Sequence, residues 1–283
     1  MDDSILQIKI YTRKFLRTLK KESIISIFIG IIITFVVMFV TSENMFFKFE
    51  GTKSGLFSLI CVCIWIGIFN SIQLVCREKN DIVKDELDKS LKASSYMAAH
   101  FIYQFFLCAI QSVIVFIIFY MSMVLGDKGD IGNPLAYLIT IFLIMYASDA
   151  MAFVISSAVP NPIVAMTIMP LLLLIQLVMA GVLFELEGAA SVVANFTVSK
   201  WGMSAFGMIG DITSLPSAVK DKLIDMPSEM TSDLQLISAN DTDMFSGGAA
   251  EIFGCWVIFT LFIAAFFFLS VWALKATTKR IKK

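Results

Sequence analysis

Six apolar runs, at about 24–41, 56–75, 97–124, 135–158, 163–184 and 249–274, recur along this chain of 283 residues. Each approaches or exceeds the roughly 18 residues needed to cross the hydrocarbon core of a bilayer. Backbone in lipid must satisfy its own polar groups, and none of the runs alternates as a strand does, so each is expected to be a helix. Composition agrees: 58% of residues are hydrophobic and 16% charged, where soluble domains carry roughly a quarter charged. The mean hydropathy is +0.83. The fold class expected is an all-α polytopic membrane protein of six transmembrane helices, one transmembrane domain over 1–283 with no soluble domain beside it.

Lysine and arginine set the orientation. Residues 1–23 carry six, the stretch between the second and third runs five, and the tail after the sixth run five. Three of the four remaining loops share six, the short turn at 159–162 carries none, and none of the 22 lies inside a run. Both termini are therefore expected on the cytoplasmic side of a cell membrane. A net charge of -1, with no basic stripe interleaved with aromatics, argues against a nucleic-acid partner. The five cysteines, Cys61, Cys63, Cys76, Cys108 and Cys255, fall in or beside apolar runs, and none lies in the polar region 185–247. They read as small packing groups, with no disulfide framework and no metal pair.

Two polar stretches carry helical periodicity. In 1–23, Ile8, Tyr11, Phe15 and Leu19 share one face with basic residues elsewhere, which predicts an amphipathic helix lying on the inner leaflet. The second stretch is Cys76 to Lys92, CREKNDIVKDELDKSLK, with ten charged side chains. Asn80 is a candidate cap for a helix over 78–92 in which Val83, Leu87 and Leu91 form the apolar face. The pairs Asp85–Lys89 and Asp88–Lys92 add support at i,i+4. Charge alone fits a solvated loop as well as a lever tied at both ends to spans.

Ionisable and amide groups inside the runs are functional candidates by default. Asp149 is the acid well inside an apolar run; His100, the sole histidine, stands four residues before Gln104 near the start of the third run. The plainer reading makes all three intramembrane hydrogen-bonding groups that join neighbouring spans.

The segment FNSIQLVCREKNDIVKDELDKSLKASSYMAAHFIYQ resembles the coupling region of the G-subfamily ABC transporters and their bacterial exporter relatives. There a span ends in Glu, a Phe-x-Arg/His-Glu pattern follows, and a Ser-Ser-Tyr-like sequence opens the next span. Glu78 matches the first acid and Ser94-Ser95-Tyr96 the opening, while Ile82 stands in place of the aromatic, Asp85 of the second acid and Leu91 of a tyrosine. SSAVPNPIVAMTIMPLLLLIQLVMAGVLFELEG is similar to that family's inner turn and fifth span, and SKWGMSAFGMIGDI to its outer re-entrant region within 185–248. The apolar part of that region, with Trp201 and Phe206, is expected to dip into the outer leaflet.

The resemblance implies a permease subunit of an ABC exporter, a half-transporter working with a second copy of itself or a homologous permease. The motif G-x-x-x-x-G-K-[ST] is missing, and neither GTKSG nor GDKGD fits it. The chain is thus not expected to be an enzyme or to hold a cofactor, and ATP and Mg belong on a separate ABC ATPase subunit, an arrangement usual in bacteria. Carried over by position, Glu78, Ile82, Lys84, Asp85 and Glu86 would couple to that ATPase. Ile66, Phe69, Asn70, Leu173, Leu174 and Leu177 would line the substrate cavity, and Val182 and Leu183 would plug it. The cargo implied is hydrophobic or amphipathic: a peptide, a lipid-linked compound or a drug. Rival readings are an ion-coupled secondary transporter, which wants paired ionisable groups and an internal repeat, and a membrane scaffold or sensor.

Overall fold

The computed structural model describes residues 7–10, 12, 21–41, 45–87, 92–126, 132–184, 188–216 and 244–281. Among these it contains helices and no strand. We number the helices α1 (Lys21–Val40), α2 (Phe49–Ser71), α3 (Leu74–Leu87), α4 (Ala93–Leu125), α5 (Pro134–Ala158), α6 (Pro162–Val178), α7 (Ala189–Ala194), α8 (Val198–Ile209) and α9 (Ala249–Ile281), with a 3-10 turn at Ile212–Ser214. Four stretches are long and apolar enough to cross a membrane, Phe49–Lys79, Ala93–Leu125, Pro134–Ala158 and Ala249–Lys279. Ile25–Val40 and Pro162–Val178 are shorter apolar helices. Most of the amphipathic helix expected over 1–23 lies outside the described residues.

Helix ends follow local chemistry. The Asn133 side chain accepts from the backbone N–H of Leu135 and Ala136 ahead of Pro134, and Asn161 accepts from Val164 ahead of Pro162. Each Asn-Pro pair puts an acceptor at the N-cap and a residue without N–H in the first turn, where donors are otherwise orphaned. Between these helices only Val159 to Asn161 turn the chain, so α5 and α6 leave one tight corner. The fifth span was expected to reach residue 184, but α6 stops at Val178. Gly181 follows at φ +73°, a left-handed conformation that continues no helix.

α5 is the centre of the bundle. It packs along α2 on one side and α9 on another, with α4 and α8 completing its surround. Its sequence explains this: Ala136, Thr140, Ala147, Ser148, Ala150, Ala152, Ser156 and Ser157 are small and buried, so neighbouring helices approach closely. The main core joins Leu59, Ile60, Cys63 and Ile64 of α2 to Ile141, Ile144 and Met145 of α5, and to Met203 and Phe206 of α8. A second cluster holds Phe101 of α4, Phe153 of α5 and Leu274 of α9. The five cysteines are free thiols.

In α8, Phe206 is fully buried and stacks on Tyr137 of α5 at 5.4 Å, which packs this outer segment against the bundle. Trp201 is half-buried and donates to the Asn195 carbonyl at 2.8 Å. The buried Gln176 of α6 accepts from the Ser199 N–H at 3.1 Å, which caps α8 from another helix.

α2 and α3 are one path broken at Ile72–Gln73. The break exposes N–H groups that the helix cannot satisfy. Ser156 of α5 fills that need: its Oγ accepts from Val75 N at 3.0 Å and Cys76 N at 3.2 Å, all buried. Ser156→Ala is expected to cost about 1–3 kcal/mol, the desolvation penalty of a buried donor left unmade, read as a lower unfolding temperature of the purified protein. The reading of Asn80 as the cap is corrected here, because α3 begins six residues earlier, at Leu74. Residues 88–91 lie outside the described residues.

Candidate functional site

Four tiers of polar contacts descend from mid-bundle to the end that carries α3. In the first, Asn70 of α2 and Gln111 of α4 form a two-armed amide pair. Asn70 Nδ2 donates to Gln111 Oε1 at 2.7 Å, and Gln111 Nε2 donates to Asn70 Oδ1 at 3.2 Å. Ser26 of α1 donates to Asn70 Oδ1 at 2.5 Å and ties that helix in.

The second tier surrounds Asp149, which is wholly buried in α5. Ser71 of α2 donates to Asp149 Oδ1. Gln104 Nε2 donates to Ser71 Oγ at 2.7 Å and to Asp149 Oδ1 at 3.2 Å. One turn before Ser71, Gly67 lets α5 come close: a Cβ there would meet the Met145 carbonyl oxygen and stand 2.9 Å from Ser148 Cβ.

In the third tier Glu78 of α3 accepts from the Tyr96 hydroxyl at 2.6 Å and lies 3.6 Å from His100 Nε2. The His100 ring packs edge-on to Tyr96 at 4.5 Å. The fourth tier is Lys79, 2% exposed. Its Nζ donates to the carbonyls of Ser157 at 2.8 Å and Val159 at 2.6 Å, at the C-terminal end of α5. A cation there neutralises helix-end carbonyls that lack N–H partners. Thr277 of α9 donates to the same Ser157 carbonyl at 3.1 Å.

These contacts fasten α3 to α4 and α5 at one end of the bundle, and α9 joins them through Thr277 on the Ser157 carbonyl that Lys79 also uses. Any load on α3 therefore reaches three long helices at once. Of the residues expected to couple, Glu78 and the buried Ile82 are part of this joint. Lys84, Asp85 and Glu86 are in α3, with side chains outside the described residues. Asp149, His100 and Gln104 all take part in the second and third tiers.

The residues expected to line a cavity divide. Ile66 is buried against Gly30 of α1, and Asn70 is held by Ser26 and Gln111. Phe69 and Leu174 face outward, while Leu173 and Leu177 are half-buried. Val182 and Leu183 sit in the turn after α6, Val182 half-buried against the core and Leu183 exposed. An open groove of about 460 Å³ lies where α6 begins, lined by Gln73, Arg77, Pro162, Ile163, Met166 and Thr167. Sequence reasoning missed Ser71, Ser156 and Lys79.

A bundle of apolar helices, joined by buried polar tiers to a short charged helix at one end, is the build of a transporter's membrane domain. The family model for the ABC-2 type transporter membrane component matches residues 6–207, so the chain belongs to the ABC-2 type transporter family and is a permease. Comparison with curated proteins gives no match.

Proposed function

We propose that this permease is the membrane half of an ATP-driven exporter, coupled to a separate ABC ATPase through α3. The observation that carries this reading is the joint of Glu78, Lys79 and Ser156, which locks a helix too charged for lipid to the ends of α4 and α5, with α9 joined through Thr277. The excess of basic residues at the termini and around α3 supports a cytoplasmic location for both, in the plasma membrane of a bacterial cell. With α1 and α6 added to the four longer helices, the chain spans six times. Two copies would enclose the translocation path, with the outward-facing Phe69 and Leu174 on its wall and Val182 and Leu183 at its outer stop. Cargo that prefers such a wall is hydrophobic or amphipathic, and closure of the ATPase pair around ATP and Mg would drive α3 and move cargo outward.

The test is co-expression with an ABC ATPase encoded beside it, followed by affinity purification and reconstitution into vesicles. A stable complex with ATP-dependent efflux is expected, and the double reversal Glu78→Lys with Asp85→Lys should strip the ATPase from the permease. Failure to hold any ABC ATPase, or uptake driven by a proton gradient without nucleotide, would replace this reading with the secondary-transporter alternative.

A further inference from the structure

Two amide tiers of the bundle invite comparison. Asn70 and Gln111 make both arms of a cyclic pair, each amide donating once and accepting once. Gln104 and Asp149, at the corresponding level two turns along α4, make only one arm, through Gln104 Nε2 and Asp149 Oδ1. The atoms of the other arm, Gln104 Oε1 and Asp149 Oδ2, are buried without a hydrogen-bond partner. Both are acceptors when the acid is ionised, so two oxygens compete for a donor that neither can supply. Buried polar atoms in this condition are rare and call for an explanation.

Among the described residues, the groups facing Asp149 are neutral. From α2 come the Ser71 hydroxyl and Gly67; from α4 Gln104 and the thiol of Cys108; from α5 itself the phenol of Tyr146. α9 offers Phe266 and Phe267 to the cluster that contains Ala150. Lys79 is engaged two turns further along α5, at Ser157 and Val159, and His100 is set against Glu78. Among the described residues no Lys or Arg pairs with Asp149. A carboxylate fully buried and unpaired at membrane depth is expensive.

One proton removes both difficulties. We propose that Asp149 is a proton-binding site, its neutral carboxyl donating Oδ2–H to the Gln104 amide oxygen, so that the proton is a component of the joint between α2, α4 and α5. The neutral acid then has the donor and acceptor pattern of an asparagine, and the second tier repeats the two-armed pair of the first. Loss of the proton places an uncompensated negative charge at the close crossing beside Gly67 and drives the three helices apart. The site stands whether or not the chain exports cargo, since it rests on the packing of one copy.

Infrared spectroscopy of the full-length protein in lipid at neutral pH tests this directly. A protonated-carboxyl carbonyl band is expected; it should shift when aspartate is heavy-carbon-labelled at the side-chain carboxyl, and it should vanish in Asp149→Asn, whose amide preserves the pairing and the fold. In Gln104→Leu the band should persist but move to higher frequency as its hydrogen bond is lost. If labelling of the unmutated protein moves no band in that region, Asp149 is ionised and the proposal fails. A band that survives Asp149→Asn belongs to another acid and overturns it equally. A band unmoved by Gln104→Leu overturns the pairing.

Discussion

Gly67→Ala is expected to destabilise the protein by about 3 kcal/mol or more, at the upper end of what overpacking a tight interior costs. The added methyl would collide with the Met145 carbonyl oxygen, and it would stand 2.9 Å from Ser148 Cβ and 3.1 Å from Asp149 N. Two of those three atoms are backbone of the central helix, which cannot rotate away as a side-chain tip can. α2 and α5 must separate, which loosens Ser71 from Asp149 one turn on. Gly30→Ala is the control. Its methyl meets the tip of Ile66 at 3.2 Å, a flexible end, and alanine is the better helix former by about 1 kcal/mol. Thermal unfolding of the two variants in detergent, followed by size-exclusion chromatography, should separate them. Equal stabilities would show that the crossing at Gly67 is loose.

Lys79→Met is expected to cost about 2–3 kcal/mol, since hydrogen bonds to charged groups contribute roughly 1.5–3 kcal/mol. Met keeps the apolar stem and its packing but leaves the Ser157 and Val159 carbonyls with less than they had. The functional effect should exceed the loss of stability. If α3 transmits motion to α5 and α9, removing this anchor lets α3 move while the bundle stays behind. Vesicles carrying the complex should hydrolyse ATP but move less cargo per ATP consumed. An unchanged ratio of transport to hydrolysis, at lower stability, would reduce Lys79 to a structural fastener.

The helices were legible because apolar runs at membrane length leave one regular structure available. Asp149, His100 and Gln104 were legible because each is conspicuous in hydrocarbon. Ser71 and Ser156 were not: a serine in an apolar run costs little and signals nothing until a second helix is placed against it. Lys79 was hidden for the opposite reason, being one of ten charges in a stretch that reads as solvated, although its ammonium is buried on helix-end carbonyls. Asn80 misled because local capping chemistry competes with a helix already running from Leu74, started by a hydroxyl 81 positions from Val75 in sequence. The resemblance pointed to an ABC transporter permease, the family that residues 6–207 match, since it compares order and spacing over many residues and not any single one. It did not indicate that Ile66 and Asn70 are taken up by α1 and α4, which depends on side-chain direction around α2.

The partners of the α2–α3 break have a consequence for how the chain is made. Ser71 and Asp149 are 78 positions apart, and Lys79 waits 80 positions for the Val159 carbonyl. A ribosome feeding the membrane delivers α2 and α3 long before α5 emerges. In that interval the serine hydroxyl, the Val75 and Cys76 amides and the lysine ammonium lack their final companions. Membrane entry of α2 and α3 therefore precedes their final polar contacts, which are completed only once α5 is in place.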